Sequence, residues 1–156
     1  MPSVEPGDPV PEIVLPRDGG GMLDLATLRG RKVVLFFYPR DDTTSCTREA
    51  VEFSHRLAEF EAAGATVVGI SKDGVKQHDR FRDKHGLRVL LLSDAAGDVC
   101  EQFGLWVEKS MYGRRYMGIE RATFLIDAAG VVRTVWPKVR VPGHVEAVLA
   151  ATRALD

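Results

Sequence analysis

With 156 residues, 45% of them hydrophobic and 28% charged, the chain has enough apolar mass for one compact core, which argues against disorder and against several domains. Lys and Arg (21) nearly balance Asp and Glu (22) for a formal charge of -1, and no basic cluster stands out, so neither nucleic acid nor an anionic membrane is an expected partner. No stretch has the apolar length of a membrane span, and residues 1–10 carry acids and prolines where a secretory leader needs cations and an apolar run; the expected location is the cytoplasm.

Residues 4–16 hold Pro6, Pro9, Pro11 and Pro16, which disfavour a helix and predict an extended arm leading into a short strand at 13–15. Asp18, Gly19, Gly20 and Gly21 then form a turn to residues 22–25, a hairpin signal. No helix start and no Lys-Ser or Lys-Thr follow at Walker spacing, so the three glycines are not read as a phosphate loop.

Residues 33–38 are continuously apolar and rich in β-branched and aromatic side chains, which predicts a buried strand. The junction 39–46 reads Pro39, Arg40, Asp41, Asp42, Thr43, Thr44, Ser45, Cys46. From Cys46 the period changes: Ala50, Phe53, Leu57 and Phe60 recur at steps of three and four, predicting an amphipathic helix over 46–63. Cys46 thus falls at or just inside a helix start, where Thr43, Thr44, Ser45 and Thr47 all have hydroxyls suited to capping. Unpaired N–H groups and the helix dipole favour a thiolate there, and the ordinary thiol value of roughly 8.5 is lowered at such positions. A lone cysteine after a strand is also often a small buried hydrophobe.

Beyond Gly64 the pattern predicts a buried strand at 66–70, a more polar helix at 75–85 with Phe81 inward and Gly86 as its stop, and a strand at 89–92. A short helix over 97–103 contains Cys100. Residues 105–119 lack clear periodicity and read as an aromatic-rich surface excursion. Strands at 122–126 and 131–136 form a hairpin around residues 127–130, and 145–155 is a closing helix.

Strand, helix, strand, helix, strand, then hairpin and helix is an α/β pattern with parallel strands followed by an antiparallel pair. That order is the thioredoxin arrangement with insertions: a central mixed sheet flanked by helices, an N-terminal β-hairpin extension, and one domain over residues 1–156. A thioredoxin oxidoreductase would place a second cysteine three positions after the first, and that position is Glu49.

Pro39, Thr43 and Cys46 match the Pro-x-x-x-Thr-x-x-Cys signature of peroxiredoxins. Tyr38-Pro39, Asp41, Cys46-Thr47, Glu49-Ala50, Gly69 with Ser71 and Asp73, Ser93-Asp94, Lys109 to Gly113 and Gly118 to Asp127 occur in order at consistent spacing. Together they resemble the peroxiredoxin Q branch, also called bacterioferritin comigratory protein, over nearly the whole chain beyond Val10. The resemblance implies a thiol peroxidase for hydrogen peroxide and organic hydroperoxides, acting in antioxidant defence, without a cofactor or metal, as a monomer recycled by thioredoxin or another thiol. Carried over residue by residue, Cys46 attacks and becomes a sulfenic acid, Thr43 supplies a hydroxyl near sulfur and substrate, Pro39 shields the pocket, and Arg121 supplies a fixed positive charge. Glu49 either orients Arg121 or is a plain first-turn helix acid.

Two departures stand out. Thr44-Ser45 replaces the usual Pro-Gly, and the resolving cysteine is missing, with Val51 and Arg82 at the two places where relatives carry it. Cys100 is the only other thiol, read as a structural helix residue ahead of a resolving partner, which implies a one-cysteine cycle. The alternatives are a two-cysteine peroxidase with Cys100 resolving, and a redox-sensing or binding domain without turnover. A cysteine hydrolase is disfavoured because His55 lies about 180° around the helix from Cys46. His78, His85 and His144 are read as solvated, and no Cys/His pair stands at metal-ligand spacing.

Overall fold

The structure, a computed structural model, describes residues 2–156; Met1, the first residue of the acid- and proline-bearing N-terminal stretch, lies outside them. Strands β1 (Val14–Pro16) and β2 (Met22–Asp24) pair antiparallel as the expected N-terminal hairpin. A 3-10 turn at Leu25–Leu28 follows, capped by the Asp24 carboxylate, which accepts from the Ala26 N–H at 3.0 Å. The body then runs β3 (Lys32–Phe37), α1 (Thr44–His55), α2 (Leu57–Ala62), β4 (Ala65–Ser71), α3 (Val75–His85), β5 (Leu90–Ser93) and α4 (Val99–Gln102). It continues with β6 (Trp106–Met111), β7 (Arg114–Ile119), β8 (Ala122–Ile126), β9 (Val132–Trp136) and α5 (His144–Ala154).

The central sheet has the order β5-β4-β3-β8-β9, with β3, β4 and β5 parallel and β8 antiparallel to both β3 and β9. Alternation along β3 sends side chains to opposite faces. Val33, Leu35 and Phe37 enter one core with Val99, Cys100, Phe103 and the N-terminal arm. Val34, Phe36 and Tyr38 enter the other with Cys46, Phe53, Phe60, Phe81 and the apolar side of α5. The mixed sheet with flanking helices is the α/β architecture the element order predicts.

Two expectations need correction. The helix over 46–63 is two helices, interrupted at Arg56, whose N–H reaches the carbonyls of Glu52 and Ser54. The Arg56 guanidinium binds Glu59 and, at 2.7 Å, Glu146 of α5, so the break brings Leu57 and Phe60 onto the core while tying the junction to the last helix. Residues 105–119 are not an irregular excursion but the β6–β7 hairpin, turning at Tyr112 and Gly113 with φ of 52° and 78°. Two consecutive left-handed residues are what a tight two-residue hairpin turn requires. Both faces of the ribbon are largely exposed, so it shows no inside-outside alternation for a sequence reading to catch.

Candidate active site

The sheet register brings the ends of three strands together. Phe37, the last residue of β3, pairs with Ile70 of β4 and with Ala122, the first residue of β8. Because β8 runs opposite to β3, the residue preceding it, Arg121, arrives beside the point where the chain leaves β3 for the loop to Cys46. An arginine 75 positions away from the cysteine thus becomes its neighbour through topology alone.

Cys46 is the third residue of α1, so its N–H is among those that no preceding helical carbonyl can satisfy. Its sulfur is buried, and Arg121 Nη2 donates to it at 3.4 Å. The other arm of the guanidinium, Nη1, donates at 2.8 Å to Oε1 of Glu49, one turn further along α1. Cys46 and Glu49 share one helix face because of their three-residue spacing, and the planar fork of an arginine spans both. Glu49 is fully buried and its Oε2 has no hydrogen-bond partner. Burial pushes its carboxyl up to about 7 against the pull of Arg121, while the acids and the sulfur around Arg121 hold the guanidinium charged in spite of its own burial. Of the two readings of Glu49, the arginine partner is the one with a contact.

The remaining expected residues are placed more loosely. Pro39 is half-buried, two residues past the end of β3. Thr43 is the residue before α1, but its hydroxyl donates to the Arg40 carbonyl at 3.2 Å and caps nothing, and none of the nearby hydroxyls supplies a side-chain cap. The open N-terminal donors of α1 are therefore left facing the cysteine's surroundings rather than being met by a local side chain.

Cys100 lies in the core on the opposite face of the sheet from Cys46. Its N–H donates to Asp94 at 2.9 Å, and burial, reinforced by Asp94, pushes its thiol far up. Arg82, at a place where relatives carry a second cysteine, donates to Asp18 in the turn of the N-terminal hairpin.

Two of the three histidines read as solvated overturn that reading. His78 is buried in α3 between Asp41 Oδ2 at 2.6 Å and the Leu92 carbonyl at 2.9 Å. His144 is buried at the start of α5, its Nε2 2.8 Å from Thr123 Oγ1, and burial with the nearby charge of Arg121 lowers it to about 4. His85 meets Asp42 at 2.7 Å. Their partners lie 14 to 43 residues away, on other elements, which spacing along one helix cannot reveal. Asp41, Asp73 and His78 bring potential metal-ligand atoms within 4.8 Å of one another, yet Nδ1 and both Asp41 oxygens are already engaged with protein groups.

Lys109 is a further neighbour that the residue reading passed over. It reaches across its hairpin to the Ile119 carbonyl, over Gly118, where a Cβ would come 3.2 Å from the lysine chain. Burial, with the charge of Arg121, lowers its ammonium, and Cys46 opposes that shift.

A buried sulfur at a helix start, a guanidinium fixed against it and a sheet topology of this kind have close parallels. The family model described as AhpC/TSA family matches residues 6–135. A putative peroxiredoxin bcp of Coxiella burnetii is 51% identical over 94% of this chain and 97% of its own length, and Peroxiredoxin Bcp of Bacillus subtilis is 40% identical over 99% and 98%. Among solved structures, Xanthomonas campestris Peroxiredoxin Q superimposes with a TM-score of 0.87 at 41% identity, covering 98% of this chain and 97% of that one. A mutant of Xylella fastidiosa PrxQ gives 0.91 at 37%, covering 97% and 96%. The chain belongs to the AhpC/TSA family, within its Bcp and peroxiredoxin Q branch, and is a thioredoxin-fold thiol peroxidase.

Proposed function

We propose that Cys46 is the peroxide-reactive thiol and that the chain, one domain over residues 1–156, runs a one-cysteine cycle. The observation that carries this reading is the 3.4 Å contact between Arg121 Nη2 and Cys46 Sγ at the start of α1. A fixed cation and free helix N–H groups are placed to receive the negative charge that the attacking sulfur and the departing oxygen carry. The thiolate attacks one peroxide oxygen; the S–O bond forms as the O–O bond breaks, sulfur is oxidised to a sulfenic acid, and the departing oxygen leaves as water or an alcohol after taking a proton. Arg121 stabilises the charge that develops on that oxygen, Thr43 offers a hydroxyl, Pro39 shields the sulfur, and Glu49 holds the guanidinium in register.

An external thiol then attacks the sulfenic sulfur, releasing water and forming a mixed disulfide, and a second thiol releases Cys46 as the disulfide product leaves. The separation of the two thiols by the sheet supports reduction from outside rather than by Cys100. The substrates are hydrogen peroxide and organic hydroperoxides; a Xanthomonas campestris bacterioferritin comigratory protein of the same fold is described for its alkyl peroxide reduction activity. Thioredoxin or a similar dithiol is the reductant, and the protein works as a cytoplasmic monomer.

Intact-mass analysis after one equivalent of peroxide tests the cycle. One added oxygen, or its adduct with a supplied thiol, is expected in wild type and in Cys100→Ser and is absent from Cys46→Ser. A loss of two hydrogens that disappears in Cys100→Ser would overturn the one-cysteine assignment. Peroxide consumption that stops after a single equivalent despite excess dithiol would instead identify a sensor.

A further inference from the structure

The loop that presents Cys46 is held by α3, and the hold passes through a proton. Asp41, in that loop, is fixed at three points: its N–H donates to Asp73 at 2.8 Å, its Oδ1 accepts from the Tyr38 hydroxyl at 2.6 Å, and its Oδ2 faces His78 Nδ1 at 2.6 Å. Asp73 also accepts from Ser71 Oγ at 2.6 Å. The next residue, Asp42, has φ of 61°, a left-handed conformation unfavourable for a residue with a Cβ, and its carboxylate is met by Lys84 at 2.8 Å and His85 at 2.7 Å, both in the last turn of α3. The strained turn persists because α3 grips both of its aspartates.

Donor and acceptor accounting fixes the state of His78. The Leu92 carbonyl only accepts, so Nε2 must carry a hydrogen. With Asp41 ionised, its carboxylate also only accepts, so Nδ1 carries one as well, and a ring with two N–H groups is an imidazolium. The groups facing the ring are Asp41 from the loop, Asp73 from the turn after β4, the Tyr38 hydroxyl from the end of β3 and the Leu92 carbonyl from β5; the charged ones are both acids. Burial alone would lower the ring, but the hydrogen bond and charge of Asp41 raise it above its ordinary value. A 2.6 Å contact between Nδ1 and a carboxylate is the length of a charge-assisted bond. Were the ring to lose its proton, a lone pair would face the carboxylate at that distance, and one of the ring's two contacts would break.

We propose that His78 is a positioning residue for the reactive thiol: as an imidazolium it ties Asp41, and with it the strained turn at Asp42, to α3 and β5. Cys46 therefore stays aligned with Arg121, which is anchored separately at the start of β8. Deprotonation of His78 removes the one hold that α3 has on Asp41, loosens the turn at Asp42 and lets the start of α1 shift relative to the guanidinium. The peroxidase then carries an alkaline limit that belongs neither to its thiol nor to its arginine. This rests on the assignment of Cys46 as the reacting thiol.

Nitrogen-15 NMR of the wild-type imidazoles, followed with pH, reads the ring directly and needs neither turnover nor a variant. Both His78 nitrogens should be protonated at about pH 7. The second-order rate of Cys46 oxidation by hydrogen peroxide should fall at high pH with the same midpoint. In His78→Gln that alkaline fall should vanish, and the rate near neutrality should drop about tenfold. A singly protonated, neutral ring at neutral pH would overturn the proposal, as would an alkaline fall that persists unchanged in His78→Gln. The peroxidase assignment fails on a different result, continued peroxide consumption by Cys46→Ser, so the two are separable.

Discussion

Arg121 Nη2 lies 3.4 Å from Cys46 Sγ, because the residue that precedes β8 and the loop that leaves β3 meet at the same end of that antiparallel pair. The guanidinium can neither drift nor deprotonate, since its second arm is bonded to Glu49 and its backbone carbonyl accepts from Val139 N–H at 3.0 Å. Removing the charge with Arg121→Met should lower the rate of Cys46 oxidation by about 100- to 1,000-fold, the usual effect of losing a donor at a developing anion. Arg121→Lys keeps a cation but cannot bridge sulfur and carboxylate together, so a smaller loss of about tenfold is expected. Stopped-flow peroxide reduction measures both, and an unchanged rate in Arg121→Met would remove the arginine from the chemistry.

Glu49 gives the pocket a pH-dependent stability. Its carboxyl rises from 4.5 to about 7 on folding, so the folded chain holds that proton more tightly than the unfolded one. The resulting stability is complete below pH 4.5 and is lost as pH climbs to about 7, an amount on the order of 3 kcal/mol. Glu49→Gln does not titrate. Urea denaturation should therefore show the variant gaining on wild type through this window and levelling off above it; a constant difference would contradict the buried-acid account.

His144 carries the opposite sign. Folding lowers it from 6.5 to about 4, so its contribution is present above pH 6.5 and disappears as pH falls toward 4, again roughly 3 kcal/mol. His144→Gln should gain on wild type as the solution is acidified. Between about pH 4.5 and 6.5 the two groups nearly cancel, and wild type should show a shallow profile that each variant tilts in a different direction.

Gly69 is required by packing rather than by backbone freedom. A Cβ there would stand 2.7 Å from Cζ of Phe36, whose ring is held against Phe53 at 4.7 Å and Tyr38 at 5.6 Å. Gly69→Ala should cost about 1–3 kcal/mol. Each kcal/mol lowers the thermal midpoint by about 2–4 °C for a chain of this size. A midpoint equal to wild type would mean that the aromatic stack yields more easily than its contacts indicate.

What was readable in the sequence followed the range over which the cause acts. The change of period at Cys46 and the apolar run of β3 are local, so the helix start and its cysteine could be found from spacing. The nearness of Arg121 depends on the register of β3 against β8, which no periodicity encodes; only the resemblance carried it. His78 and His144 were misread for the same reason, because a histidine on a helix looks solvated until its partner on another element is known. The β6–β7 hairpin escaped because neither face is buried along most of its length, although Tyr112-Gly113 between two strand-like runs was a usable turn signal.

The five-stranded sheet lies between the two sulfurs, and in the one-cysteine cycle we propose this decides how oxidising equivalents travel. With no relay through the wall, whatever enters at Cys46 must leave by the same doorway, so peroxide and reductant compete for one opening and can never be seated together. Turnover is then strictly alternating, and parallel lines in a double-reciprocal plot are its kinetic signature. When the supply of outside thiol runs short, the oxidised sulfur has no shelter within its own chain and stands exposed to a second peroxide.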